Sequence, residues 1–472
     1  MKCPAILFAL LLAACNAAPT AILPPPFGPD SSAPEPARLF FPTGMAVTAA
    51  GNLLVANGNF DHAYDAGTIV SISGDYLKGF FDRNKAVRCD KVASSATCDE
   101  QIPSSAFIDA ALIGNYAGPL VLDPAGTTAY TGSRDTNRLN GVSLVSVSDN
   151  HIYCRNGAVT EHDCRAGVLD LRLAANLEGP YSIVPGVARP PGTDTDVSVL
   201  FVAPLVPHID DIQSGTIYTS APVAALDVGD PTMVRFSMFA ASRIYGGGDH
   251  GAGGVGPMVF DPVRRQLLMS GCFLRYATGA GGEAATGKCG TLGTNTLRVL
   301  DVDAGSAAQV QVYDLSQDVR SLENVALLLA GGDAASGKPP DTLWASARSP
   351  DALIEVALPA TPSQIPKVRR AVSLPASPAD IALIRRPSGA DLLAVAAERL
   401  GALVIYDTGN RQVVAQVERL GDSPFTLKLL PSPAGSARLV ASVFGDCRLS
   451  LIEVPLDQPW NAALRGRAGK CP

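Results

Sequence analysis

Seven times along this chain an apolar strand is followed by a Pro/Gly turn and a second strand that ends near Val-Ala. The copies begin at Pro42, Pro119, Pro180, Pro257, Glu323, Pro378 and Pro424. The clearest, Pro378 to Glu418, reads as four short strands: Asp380–Arg385, Leu392–Ala396, Leu403–Tyr406 and Val413–Val417. Turns at Pro387-Ser388-Gly389 and Thr408-Gly409-Asn410 separate them, the pattern of an antiparallel meander. One such sheet cannot bury both faces alone, so the copies must stack on one another.

Four-stranded repeats arranged radially close into a ring and leave only short, protected edges. The expected fold is all-β, a seven-bladed β-propeller of four-stranded antiparallel blades spanning residues 37–472. Copy starts lie 77, 61, 77, 66, 55 and 46 residues apart, so the longer intervals should hold insertions at Gly74–Ser104, Val187–Asp196 and Gly271–Gly293. The seventh copy shows three strands. Arg38–Phe41 is expected to supply its fourth; the alternative, Trp460–Pro472, reads as turn and loop.

Composition agrees. The chain is 47% hydrophobic and 17% charged, too apolar for disorder, and 45 Gly and 37 Pro suit a turn-dense fold. Net charge is −7, or −8 without Lys2, so the basic stripe needed for nucleic acid is missing. No run after Leu12 nears the ~18 apolar residues of a transmembrane helix.

The N-terminus carries an address. Lys2 and the apolar run Ala5–Leu12 precede Leu12-Ala13-Ala14-Cys15, which resembles a bacterial lipobox. That resemblance implies a signal peptide over 1–14 and lipid (palmitate included) on Cys15, and several acyl chains anchor stably. Asn16, where enteric bacteria use Asp for inner-membrane retention, points to the outer membrane. Residues 15–36, with seven prolines after the cysteine, read as an extended tether at ~3.1 Å per residue.

Eight cysteines remain after Cys3 and Cys15, in four local pairs: Cys89/Cys98, Cys154/Cys164, Cys272/Cys289 and Cys447/Cys471. An even count in an exported chain implies disulfides, and locality favours these four. With no C-x₂-C and no C-x-x-C-H, neither a zinc cluster nor a covalent haem is expected.

Other motifs fail on context. Gly332–Lys338 has P-loop spacing, but Pro339-Pro340 blocks the helix such a loop opens, so it reads as a turn. Gly246–Pro257 reads as a mobile loop before a strand. No G-x-S-x-G is present.

Loops joining second to third strands emerge on one face of a propeller. Here they carry Asn57, Asn59, Asp61 and Asp65, then Arg134 and Asp135, then His208, Asp210 and Asp211. Arg348 and Asp351, Glu398 and Arg399, and Asp446 follow. A polar ring around one channel mouth is expected, of which Asn59, Asp61, Arg134, Asp135, His208, Asp210, Arg348, Arg399 and Asp446 are the candidate ligand-binding set. The competing account is that these side chains satisfy turn backbones. Asp210-Asp211 beside His208 offers oxygen ligands for Ca²⁺, although no EF-hand loop is present. No metal and no cofactor are expected.

Gly44–Asn57 (GMAVTAAGNLLVAN) and Ile381–Ala396 (IALIRRPSGADLLAVA) resemble YVTN-type propeller repeats, the group that includes lactonase-like propellers. Asn57–Ser73 and Gly132–Ser148, followed by paired cysteines, resemble propeller lipoproteins of myxobacteria and their relatives. The leading expectation is a monomeric, non-enzymatic propeller on the outer membrane, facing periplasm or cell surface, that binds a protein, peptide or glycan. The competing expectation is a lactonase-like hydrolase at the polar mouth, with His208 and Asp61 as base or ligand.

Overall fold

The computed structural model describes residues 22–27 and, with gaps, 37–471; the longer intervals outside the described residues are 135–139, 172–178, 229–234, 237–241, 276–292, 304–309 and 316–322. Seven antiparallel sheets follow in chain order. Their first strands surround the axis: Pro42–Val47, Leu120–Leu122, Pro180–Ala188, His250–Asp261, Glu323–Ala330, Pro378–Ile384 and Pro424–Leu430. Each touches the next, and Pro424–Leu430 returns to Pro42–Val47, so the ring is closed. The fold is the seven-bladed β-propeller that the repeats predict.

Position within a blade explains the sequence pattern. In the sixth, Leu392–Ala397 and Ala402–Asp407 are buried throughout, because middle strands are covered on both faces. The outer strand of the fifth, Lys367–Ser373, alternates exposed and half-buried residues, as its KVRRAVS sequence requires. The apolar cores lie between blades: Leu392, Leu403 and Ile405 of the sixth meet Leu427, Leu439 and Ile452 of the seventh.

Two blades are elaborated. The outer strand of the second is split into Ile152–Cys154 and Leu169–Asp170, both paired to Asn140–Val147. That of the third is split into Arg235–Phe236 and Ser242–Tyr245. The third also projects a hairpin, His208–Gln213 against the start of Thr216–Asp227.

The seventh blade corrects the expected closure. Arg38–Phe41 forms no strand; Ala463–Ala468, in the tail read as loop, pairs with Arg448–Pro455 as the fourth strand. Arg38–Phe41 is still anchored: Leu39 and Phe40 are buried, and Asn57 accepts from the Phe40 amide at 3.1 Å while donating to the Arg38 carbonyl at 3.2 Å. These side-chain bonds replace a strand ladder.

Closure is reinforced by the insertion after Gly67–Ile72. Ser73 caps the helix Gly74–Arg83, accepting from the Tyr76 amide at 3.3 Å, and Asp75 and Arg83 suit its two ends. Leu77, Phe80 and Phe81 form its buried stripe, in one cluster with Leu449 and Leu451 of the seventh blade. The Phe80 ring passes over Gly466, where an added Cβ would lie 2.6 Å from it. Asp99–Glu100 then adds a fifth, parallel strand to Ala463–Ala468. Arg467 grips Asp99 with two bonds of 2.6 and 3.1 Å, and Arg448 adds a third at 3.1 Å. Blade one thus clasps blade seven.

Three expected disulfides are formed: Cys89–Cys98 within the clasp, Cys154–Cys164 in the second blade, and Cys447–Cys471, which pins the tail. Cys289 and the Cys272 side chain lie outside the described residues. Gly332–Lys338 is a turn, Asp333 and Lys338 exchanging bonds of 2.8 and 2.9 Å. The Gly246–Pro257 reading needs correction, because His250–Pro257 is strand, paired with Gln266–Arg275. Its glycines suit close backbone approach: a Cβ on Gly256 would lie 3.3 Å from the Asn324 carbonyl oxygen.

Within the segment read as tether, Ile22–Phe27 lies on the body. The Ile22 amide donates to the Asp65 carboxylate at 2.5 Å and its carbonyl accepts from the Asp65 amide at 2.8 Å. Pro24 and Pro25 are buried, and Phe27 packs near His162 with ring centroids 6.5 Å apart. Cys15 lies outside the described residues. Among the described residues, no helix is long and apolar enough to cross a membrane.

Candidate functional site

The inner strands share a device. In six of the seven blades the pairing of first and second strands shifts register near the strand start, as between Pro42 and Gly44 or Pro378 and Ile381. Such bulges re-aim side chains. Beyond them, the second residue after the leading position (Val121, Ser182, Val325, Asp380 and Thr426 among them) lines a cavity of about 310 Å³ in the channel. These positions follow the strand starts closely, and Arg348 joins from the end of its second strand. The cavity therefore lies at the end of the channel that carries the second-to-third loops.

Three charged residues line its wall, Asp380, Lys428 and Arg348, the last already paired with Glu398. Asp380 accepts from the Ile381 and Leu427 amides, both at 2.8 Å. Burial pushes its carboxyl above the ordinary range, against the opposing pull of Lys428 and the two amides. The Lys428 ammonium makes no hydrogen bond or ion pair among the described residues. Tyr181 and Phe425 add half-buried rings, and Met258 and Leu327 add apolar surface.

The expected polar ring is dispersed into ties between neighbouring blades. Asn59 is buried and spends its amide on Asn115 at 2.7 Å and on the Tyr64 carbonyl and amide. Asp61 is exposed and caps the Ala63 amide at 3.1 Å. Arg134 stacks 5.5 Å from the Tyr181 ring centroid, and burial lowers its pKa. Arg348 donates to the Pro378 carbonyl at 2.9 Å and pairs with Glu398 of the next blade. Asp351 accepts from the Ser377 amide at 2.9 Å. Asp446 accepts from the Asp422 amide at 3.0 Å and faces Arg448.

Arg399 is exposed. His208 and Asp210 lie on the projecting hairpin, with a register shift at Asp210, and their side chains lie outside the description, as does Asp135. Among the candidates with described side chains, only Arg348 reaches the cavity wall. Among the described residues no three His, Cys, Asp or Glu side chains gather as a metal would require.

Sequence reasoning missed Asp380, Lys428 and an aromatic belt. In that belt Phe444 lies 5.2, 5.0 and 6.3 Å from Phe41, Phe60 and Phe425, and Phe60 meets Tyr116 at 5.1 Å. The signal for Asp380 was available: aligned copies place Gly44, Val121, Ser182, Val259, Val325, Asp380 and Thr426 at one position, with a single acid. The belt has no such signal, because its rings come from the two ends of the chain, around blades one and seven.

Fold and cavity define a class, the seven-bladed propeller with a chambered channel mouth. No family model matches the chain, and no curated protein matches its sequence. Solved structures resemble it at low identity. The β-propeller domain of Myceliophteria thermophila Cps50 (Swd1) is 11% identical with a TM-score of 0.48, over 88% of this chain and 98% of that one. The dihydro-heme d1 dehydrogenase NirN in complex with DHE is 12% identical with a TM-score of 0.43, over 100% and 86%. A nidogen/laminin complex is 12% identical with a TM-score of 0.33, over 71% and 80%.

Proposed function

We propose that this protein is a lipid-anchored binding module of the bacterial cell envelope, whose peptide or glycan partner enters the channel mouth. The observation that carries the binding role is the cavity of about 310 Å³, at the lower end of the range for ligand pockets, walled by two aromatic rings and the Asp380/Lys428 pair. The mouth acids and arginines with described side chains are mostly held in turns and inter-blade ties, which favours binding over the hydrolase reading. The lipobox-like Leu12–Cys15 supports anchoring, Asn16 supports the outer membrane, and the YVTN-like repeats support the wider kinship.

Native mass spectrometry of the protein purified from envelopes tests the binding role. The expected result is a retained ligand that is lost in Val325→Trp, where the indole would fill the cavity. A wild-type protein without ligand, or equal retention by the folded variant, would refute the channel as the site.

A further inference from the structure

We propose that the channel cavity takes a small zwitterion of the amino-acid or dipeptide kind, with its ammonium on Asp380 and its carboxylate on Lys428. The proposal rests on the channel being the ligand site and adds the chemistry of what it holds.

Asp380 and Lys428 stand on adjacent inner strands, two and four residues after Pro378 and Pro424. One Asp380 oxygen holds the Leu427 amide, the residue just before Lys428, at 2.8 Å. The other holds the Ile381 amide at 2.8 Å, so the carboxylate is fixed by two bonds and keeps lone pairs for a donor. The Lys428 ammonium makes no hydrogen bond or ion pair among the described residues, yet it is near enough to act on the Asp380 charge. Two opposite charges that share a chamber without bonding leave both ends of a dipole open.

That arrangement selects by sign. A simple anion meets Asp380, and a simple cation meets Lys428. A molecule carrying both charges a few ångströms apart satisfies both groups, and each charge-assisted bond is stronger than a neutral one. Burial pushes the Asp380 carboxyl up, so the free site is under-solvated and an arriving ammonium offsets that. Arg348 does not compete for the ligand carboxylate, since Glu398 and the Pro378 carbonyl already hold it. Met258, Val325 and Leu327 offer an apolar wall for a side chain, and about 310 Å³ accommodates a residue of leucine size.

Calorimetry on the full chain with L-leucine, leucyl-leucine, leucinamide and N-acetyl-leucine tests this. Leucine or its dipeptide should bind, and blocking either terminus should weaken binding at least tenfold. Asp380→Asn should remove the penalty for acetylation, and Lys428→Met the penalty for amidation, with melting curves confirming that both fold. Should either variant fold poorly, the four probes on the unaltered protein decide the matter. Equal affinity for the blocked forms, or no binding by any probe, overturns the proposal. If no probe binds while Val325→Trp still expels the envelope ligand, the chemistry is wrong and the site stands. If the envelope ligand persists in Val325→Trp, the site itself is wrong and the proposal falls with it.

Discussion

The clasp from blade one makes a quantitative claim. Phe80 is 1% exposed, wedged between its own helix and the outer strand of the seventh blade beside Gly466. Phe80→Ala should cost about 3–5 kcal/mol, the usual range for emptying a buried phenylalanine site. Unfolding entropy of roughly 2.1 cal/mol/K per residue gives about 0.9 kcal/mol/K for a body of this size. The melting temperature should therefore fall by about 3–6 °C in differential scanning calorimetry. Asp99→Ala should cost less, about 1–2 kcal/mol. It strips a nearly buried Arg467 of its bidentate partner, but Asp99 is 36% exposed and water screens the loss. Hydrogen exchange locates the effect: in Phe80→Ala the amides of Ala463–Ala468 should lose protection while those of Leu392–Ala397 keep it. A melting temperature within about 1 °C of the parent, with unchanged exchange at the tail strand, would refute the clasp.

Three further outcomes are expected. Asp380 has a raised pKa in the fold, so the folded state holds a proton that the unfolded chain releases near the ordinary carboxylate pKa of ~3.9. Stability should fall as pH rises through that window and level off above the folded pKa. Asp380→Asn should remove the fall, its melting temperature gaining on the wild type from pH 3.5 upward; a constant difference across the titration contradicts the assignment. Cys15→Ala should abolish palmitate labelling and move the protein out of the detergent phase, and unchanged partitioning would end the lipid-anchor reading. Asp65→Ala should remove one of the two bonds that hold Ile22 and speed proteolysis within residues 22–27, whereas cleavage at the parental rate would mean that the backbone bond from residue 65 and the buried prolines suffice to hold the docked segment.

Local order was legible in the sequence and long-range order was not. The sixth blade matches its reading to within two residues at every strand, because Val, Ile and Leu runs and Gly/Pro/Asn turns are local signals. The three cysteine pairs with described side chains were legible for the same reason. Closure failed because its partners are far apart: Asp99 meets Arg467 across 368 residues, and ALRGRA carries too little apolar alternation to announce a strand. That strand is buried because the blade-one insertion covers it, with Phe80 over Gly466 and the Cys89–Cys98 loop against Leu464. The polar mouth was legible as composition and misleading as a site. Asn59, Asp61 and Asp446 stand where expected, but each spends its hydrogen bonds on nearby backbone or a neighbouring side chain. Asp380 was overlooked because, inside PADIALI, it reads as an ordinary strand opening.

The clasp also sets an order of events during biosynthesis. The helix and the Asp99–Glu100 strand are translated long before their partner strand Ala463–Ala468. At roughly 5–20 residues per second, the 368 residues between Asp99 and Arg467 correspond to about 20–70 s. Through that interval Leu77, Phe80 and Phe81 have no seventh blade to cover them. Blades one to six can form in turn from contacts within each repeat, but the ring locks only when Ala463–Ala468 arrives. A ribosome stalled shortly before codon 463 would thus release a propeller with an open seam and an apolar helix beside it, a better substrate for chaperones and proteases than either a shorter fragment or the closed ring.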